Sequence, residues 1–95
     1  MARIVKTYSL SVLGSYDENR CEIRTDHGRR AKELQITNFS DEDLQIRINE
    51  DDESVFTLPA NYTQLLQNLS VSIVELQHVA SGGVTPSDVE VICFV

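Results

Sequence analysis

Three observations predict an all-β protein, a compact antiparallel β-sandwich of about seven short strands. Residues 44–49 alternate, with Leu44, Ile46 and Ile48 on one side and Gln45, Arg47 and Asn49 on the other, as in a strand with one wet face. Clusters of Asp, Glu, Asn, Ser and Gly recur about every 8–12 residues, the spacing of short strands joined by turns. No stretch keeps a helical apolar period for about ten positions. The 95 residues suffice for a single modest core, so residues 1–95 are read as one domain.

Each element has its own warrant. Ile4, Tyr8, Leu10 and Val12 share a parity that only Lys6 interrupts, and this first strand ends at Leu13 and Gly14. Residues 15–19 (SYDEN) read as a turn. Cys21, Ile23 and Thr25 share one face of a second strand, with Glu22 and Arg24 opposite. Asp26, His27 and Gly28, followed by Arg29 and Arg30, make the next loop, where Gly28 can supply a positive φ. Leu34 and Ile36 open a third strand that closes at residues 38–43, and residues 44–49 form the fourth.

The acidic turn 50–53 leads to a fifth strand, residues 54–58, stopped by Pro59, which has no N–H to continue a ladder. Residues 61–68 read two ways, because Leu65, Leu66 and Leu69 suit one helical turn while Tyr62 and Thr63 equally suit a strand-linking loop. The parity of Leu69, Val71 and Ile73 then switches to Val74, Leu76 and His78, as a β-bulge would produce. Ser81, Gly82 and Gly83, with Thr85, Pro86 and Ser87, punctuate a loop before a nearly continuous apolar strand over residues 89–95.

Composition narrows the functional classes. With no Trp, three Phe and three Tyr, the core is expected to be aliphatic. No apolar run approaches the roughly 20 residues that span a bilayer, so no membrane partner is expected. The first residues do not read as a signal peptide. Cys21 and Cys93 lie in strand-like runs outside any C-x-x-C or Cys/His spacing and read as small buried hydrophobes, with a disulfide left open. The sequons at Asn38, Asn61 and Asn68 read as turn chemistry.

The net charge of −7 is unevenly placed. Seven of the eight basic residues fall in the first third: Arg3, Lys6, Arg20, Arg24, Arg29, Arg30 and Lys32. Beyond residue 32, Arg47 stands alone against eleven acids, seven of them in the turns 41–43 and 50–53 at opposite ends of the fourth strand. One reading is a solvated surface that keeps a small β protein soluble. The other is complementary docking, in which the basic 20–32 region of one copy meets the acidic loops of another copy or a partner. Direct nucleic-acid binding is not expected, since the basic cluster is small and lacks interleaved aromatics.

No motif carries a reaction. Asp41, Asp43 and residues 50–53 offer hard oxygen ligands, but without the spaced, glycine-containing loop of a calcium site they read as acidic turns. His27 and His78 have no Cys or carboxylate at ligand spacing, and no nucleophile elbow or phosphate-binding fingerprint occurs. No enzyme activity, metal or cofactor is expected. Tyr62, Phe39 and Phe56 could form a sugar-stacking platform, though their spread over two loops and a strand favours packing.

The progression ITNFSDEDLQIRINEDDESVFTLPA, then LSVSIVELQHV and DVEVICFV, resembles small β-sandwich structural proteins of tailed-bacteriophage virions over residues 34–95. The cadence is a strand ending in Asn and Ser, an I-x-I-N strand, an acidic turn, a strand closing on leucine and proline, an alternating strand and a terminal strand. It departs where Ile92, Cys93, Phe94 and Val95 replace aromatic or Gly-rich features. The resemblance implies a non-enzymatic virion protein, made in a host cytoplasm, that acts as a capsid decoration or cement protein or a neck or tail accessory. Its partners would be other virion proteins and further copies of itself. The residues expected at contacts are Arg20, Arg24, Arg29, Arg30, Asp41, Asp43, Asp51, Asp52 and Tyr62, with the strands 4–12 and 89–95 pairing between subunits. The alternative is a small carbohydrate- or receptor-binding sandwich using Tyr62 and the loop 81–87.

Overall fold

The computed structural model describes residues 5–79 and 85–95. Alternation becomes two facing layers: in β3 (Glu33–Asn38), Leu34, Ile36 and Asn38 are buried, and in β4 (Leu44–Ile48), Leu44 and Ile46 are buried against them. The other strands are β1 (Val5–Val12), β2 (Arg20–Glu22), β5 (Phe56–Leu58), β6 (Thr63–Leu66), β7 (Ile73–His78) and β8 (Ser87–Phe94), with a short helix α1 (Ile23–His27) after β2. Sheet A runs β1-β8-β3-β6 and sheet B runs β2-β7-β4-β5, all pairs antiparallel.

Strand 1 pairs with 8, 2 with 7, 3 with 6 and 4 with 5. A ribbon of nested pairs, rolled so that β8 also meets β3 and β7 also meets β4, is a jelly-roll winding of the sandwich. The predicted sandwich is therefore the fold, with eight strands rather than about seven. The additional strand is β6, so residues 61–68 are neither the helical turn nor simply the strand-linking loop that the sequence suggested. The fully buried core contains no aromatic side chain, as composition implied. Phe56 and Tyr8 pack partly buried on its margin.

Three other expectations change. Cys21 and Ile23 are buried as predicted, but the second strand stops at Glu22 and Thr25 is exposed. The chain turns into α1, where Gly28 at φ 69° closes the helix by donating its N–H to the Arg24 carbonyl at 2.9 Å. The parity change near Ile73 is no bulge, since β7 keeps unbroken register with β2 and β4. It falls at Ser72, where the chain leaves a bridge between Val71 and Ala31 to enter sheet B. Ser87, read as loop, is the buried first residue of β8. Ile4 and the stretch 81–84 of the glycine loop lie outside the described residues.

Asparagines fasten the connections. Asn38 is fully buried; its Nδ2 donates to the carbonyls of Glu42 (2.7 Å) and Pro59 (3.2 Å), and its Oδ1 accepts from the Ser40 N–H (2.9 Å) and Oγ (2.7 Å). This sequon is turn chemistry. Asn19 donates to the carbonyls of Leu13, Ser15 and Leu76, tying the β1–β2 connection to β7. Asn49 and Glu50, at φ 53° and 58°, make a tight turn closed by the Asp51 N–H on the Ile48 carbonyl at 3.0 Å. Replacing Asn38 with alanine leaves buried carbonyls without donors, so Asn38→Ala should lower unfolding free energy by about 3 kcal/mol in urea titrations.

Both cysteines are free and buried, Cys21 from sheet B and Cys93 from sheet A. Burial pushes the Cys21 thiol up to about 12 and the Cys93 thiol up to about 11, from an ordinary 9.0. A raised folded pKa favours the neutral thiol, so this stabilisation is complete below about pH 9 and is lost as pH rises through 11 to 12. Stability measured by denaturant should fall across that window, and the Cys21→Ala, Cys93→Ala double variant should flatten the fall.

Candidate functional site

The outer face of sheet B is polar and internally engaged. Glu75 lies between the inward Val74 and Leu76 of β7, so it points outward, yet it is 0% exposed. The register explains this, since Arg20 of β2 and Arg47 of β4 both stand directly opposite it. Arg47 Nε and Nη2 each lie 3.0 Å from Glu75 Oε1, and Arg20 Nη1 lies 3.3 Å from Oε2. The Arg47 guanidinium sits 4.4 Å over the Tyr16 ring and its Nη1 donates to Asp52 at 2.9 Å. Arg20 further approaches Asp17, Glu22 and Glu50 at 3.5–3.8 Å. Two of the residues expected at contacts, Arg20 and Asp52, are thus held within the chain.

The remaining charge lies at the two ends of the strands, with an acidic turn at each. At one end lie Asn38, the turn 39–43 and the start of β8; at the other lie α1, the α1–β3 connection and the end of β8. Arg24, Arg29, Arg30 and Lys32 are all exposed at the α1 end. Among the described residues none of the four has an ion-pair partner, and Arg30 makes one weak contact, to Ser70 Oγ at 3.4 Å. Asp51 is at the same end, where its side chain accepts from the Glu53 N–H. Asp41 and Asp43 occupy the opposite end with Glu42; Asp41 Oδ1 accepts from Asn61 (3.0 Å) and Asp43 Oδ1 from the Ala60 N–H (2.9 Å). Tyr62 is there too, 48% exposed, with Phe39 at 60%. Phe56 is separate, on the core margin, so the three aromatics form no common platform.

The edges differ in length. β2, β5 and β6 are edges of three or four residues, whereas β1 is an eight-residue edge in regular register with β8. The expectation that residues 89–95 pair between subunits is overturned: β8 is flanked by β1 and β3, so both its sides are occupied. Among the described residues β1 pairs on one side only, with β8.

One cluster was missed from sequence. The Tyr8 hydroxyl donates to Asp26 Oδ2 at 2.7 Å and lies 2.8 Å from His27 Nε2, fastening α1 to the inner side of β1. Burial, reinforced by the Asp26 carboxylate, holds the phenol above its ordinary range, so Tyr8 serves as a donor and not as an ionised nucleophile. His78 is likewise engaged, with Nε2 3.0 Å from the Val12 carbonyl. Among the described residues no three His, Cys, Asp or Glu side chains gather as a metal site. A half-open cleft of about 350 Å³ between Lys32, Glu33, Asn68, Leu69, Phe94 and Val95 is mixed in polarity.

No family model matches this chain, and neither does any curated protein or solved structure. In sequence Glu75 stands out only as the sole charged residue of the stretch 69–79, and the strand register is what places Arg20 and Arg47 beside it. Removing Glu75 takes away the buried acceptor of two guanidiniums that still have Asp17, Glu22, Glu50 and Asp52 near them. Glu75→Ala should therefore destabilise the fold by about 1.5–3 kcal/mol, measured as a lower denaturant midpoint.

Proposed function

We propose that this chain is a non-enzymatic structural protein of a tailed-bacteriophage virion, a capsid decoration or cement protein or a neck or tail accessory. The observation that carries the reading is the exposed basic group at the α1 end, which forms no ion pair among the described residues. Arg24, Arg29, Arg30 and Lys32 have no ion-pair partner among the described residues, and the Asp41–Glu42–Asp43 turn sits at the other end of the strands. Such ends suit a heterologous contact, in which one surface meets a different surface of a neighbouring copy or shell subunit. Arg20 and Asp52 are set apart from this role by their bonds to Glu75 and Arg47.

Two further supports are weaker. The jelly-roll winding is used by viral capsid and lectin domains, an argument by fold alone. The strand and turn cadence over residues 34–95 is the second. The side-chain clusters in the described residues act as fasteners: Tyr8 with α1, Glu75 with two strands. Mechanistically, each copy bridges neighbouring subunits and adds contact energy to the shell or ring.

Exposure of Phe39 and Tyr62 at the acidic end keeps a second reading in play, recognition of a glycan or receptor by aromatic stacking. Glycan-array binding that is lost in Tyr62→Ala would favour it. For the virion reading, mass spectrometry of gradient-purified particles should find the chain, and raising salt from roughly 0.05 to 1 M should release it. Reversing three charges, in Arg24→Glu, Arg29→Glu, Arg30→Glu, should cut particle occupancy about tenfold or more. Particles that lack the chain, or that retain it unchanged in both tests, would refute docking through these ends.

A further inference from the structure

We infer that copies of this chain join head to tail, the cleft and cations at the α1 end of one taking the exposed Phe39 and the acidic turn 41–43 of the next. The inference rests on the docking reading and deepens it, by naming the partner of the basic end and the apolar anchor that seats it.

The receiving end is built by the backbone. The Lys32 N–H donates to the Phe94 carbonyl at 2.8 Å and the Lys32 carbonyl accepts from the Leu69 N–H at 2.9 Å, which fixes Lys32 between the two walls of the cleft. Leu69 and Val95 are partly buried against the core and turn their remaining surface, with Phe94, into a half-open space of about 350 Å³. From there the cations follow residues 69–72. Arg30 Nη1 lies 3.4 Å from Ser70 Oγ, and the Arg24 N–H donates to the Ser72 carbonyl at 3.2 Å. Glu33 also lines the cleft, so the group entering it is apolar, and carboxylates meet Lys32, Arg30 and Arg24 along the row.

The entering end matches that order. Phe39 is 60% exposed and stands two residues before Asp41, Glu42 and Asp43, all exposed and without an ion pair among the described residues. The turn is held rigid, since Asp41 Oδ1 accepts from Asn61 and Asp43 Oδ1 from the Ala60 N–H, and the second oxygen of each carboxylate faces outward charge. The other acidic turn, 50–53, lacks both properties. Its apolar neighbours Ile48, Val55 and Phe56 are at least partly buried, and Glu50 and Asp52 already lie at ion-pair distance from Arg20 and Arg47. Because the two matching surfaces differ and occupy opposite ends of the strands, each copy leaves one of them open, and the contact repeats into a column or ring.

The test is run on the purified chain at about 0.05 M salt, where charge attraction is not screened out. Native mass spectrometry should give multiples of 10.7 kDa beyond two. Two variants separate the ends: Arg24→Glu, Arg30→Glu, Lys32→Glu removes the receiving surface, and Phe39→Ser, Glu42→Lys the entering one. Each alone should stay at the single mass with unchanged circular dichroism, and the two mixed should form a one-to-one pair and nothing larger. Phe39→Ser by itself should weaken association about tenfold. In the wild type, concentration should shift amide resonances at 30–32, 68–69 and 94–95 together with those at 39–43. A chain of single mass at every concentration overturns the contact, as does an assembly that both variants still form alone. If the wild type stays single while the triple charge reversal empties the particle, docking is on a shell protein, and the docking reading survives without this inference.

Discussion

A carboxylate held between two guanidiniums sets the geometry of half this molecule. Glu75 stands directly opposite Arg20 on one neighbouring strand and Arg47 on the other, so one side chain ties β2, β7 and β4 at a single level. If β7 slipped by one residue, Glu75 would turn toward the aliphatic core and Val74 and Leu76 toward water. A buried ion triad is a poor source of net stability, because desolvating three charges offsets their attraction. Its value lies in excluding other registers. Asp17, Glu22 and Glu50 lie at ion-pair distance from Arg20, and Asp52 accepts a hydrogen bond from Arg47.

Sheet A reaches order by another route. Its face toward sheet B is apolar except at the end, where Asn38 occupies a core position and binds the turns on either side of β4 and β5. Asn19 and Asn49 do the same for the β1–β2 connection and for the turn beside β7. Short connections would otherwise leave buried backbone groups unpaired, and an amide offers both a donor and an acceptor at one point. The charged loops are therefore held in fixed positions relative to the sheets. Surfaces of that kind suit rigid docking, where little ordering entropy opposes the contact.

The two outer faces differ accordingly. Sheet B presents residues whose charges already answer one another. Sheet A presents Thr7, Ser9, Ser11, Gln35, Thr37 and Thr63 with Val5, Ile92 and Leu65, and the acids Asp88 and Glu90 of β8. The long β1 edge borders this face, while Arg24, Arg29, Arg30 and Lys32, without ion-pair partners among the described residues, gather at the α1 end.

Local pattern was enough for much of this. Alternation in residues 34–38 and 44–48 identified the buried face of two central strands, Pro59 marked the end of β5, and the lack of Trp foretold an aliphatic core. The acidic turns were placed at opposite ends of β4 from spacing alone. Side-chain parity, however, reports which face a residue takes and not which strand lies beside it. Thr25 followed strand parity and still entered a helix, because the chain must turn at Gly28 to bring Ala31 against Val71. The apolar last strand looked free to pair outward but became the second strand of its sheet, enclosed by β1 and β3. Glu75 is buried only because two arginines, 55 and 28 residues away in sequence, close over it. Face is written locally by the two-residue period of a strand; neighbours are chosen by contacts distant in sequence, and those only the folded chain decides.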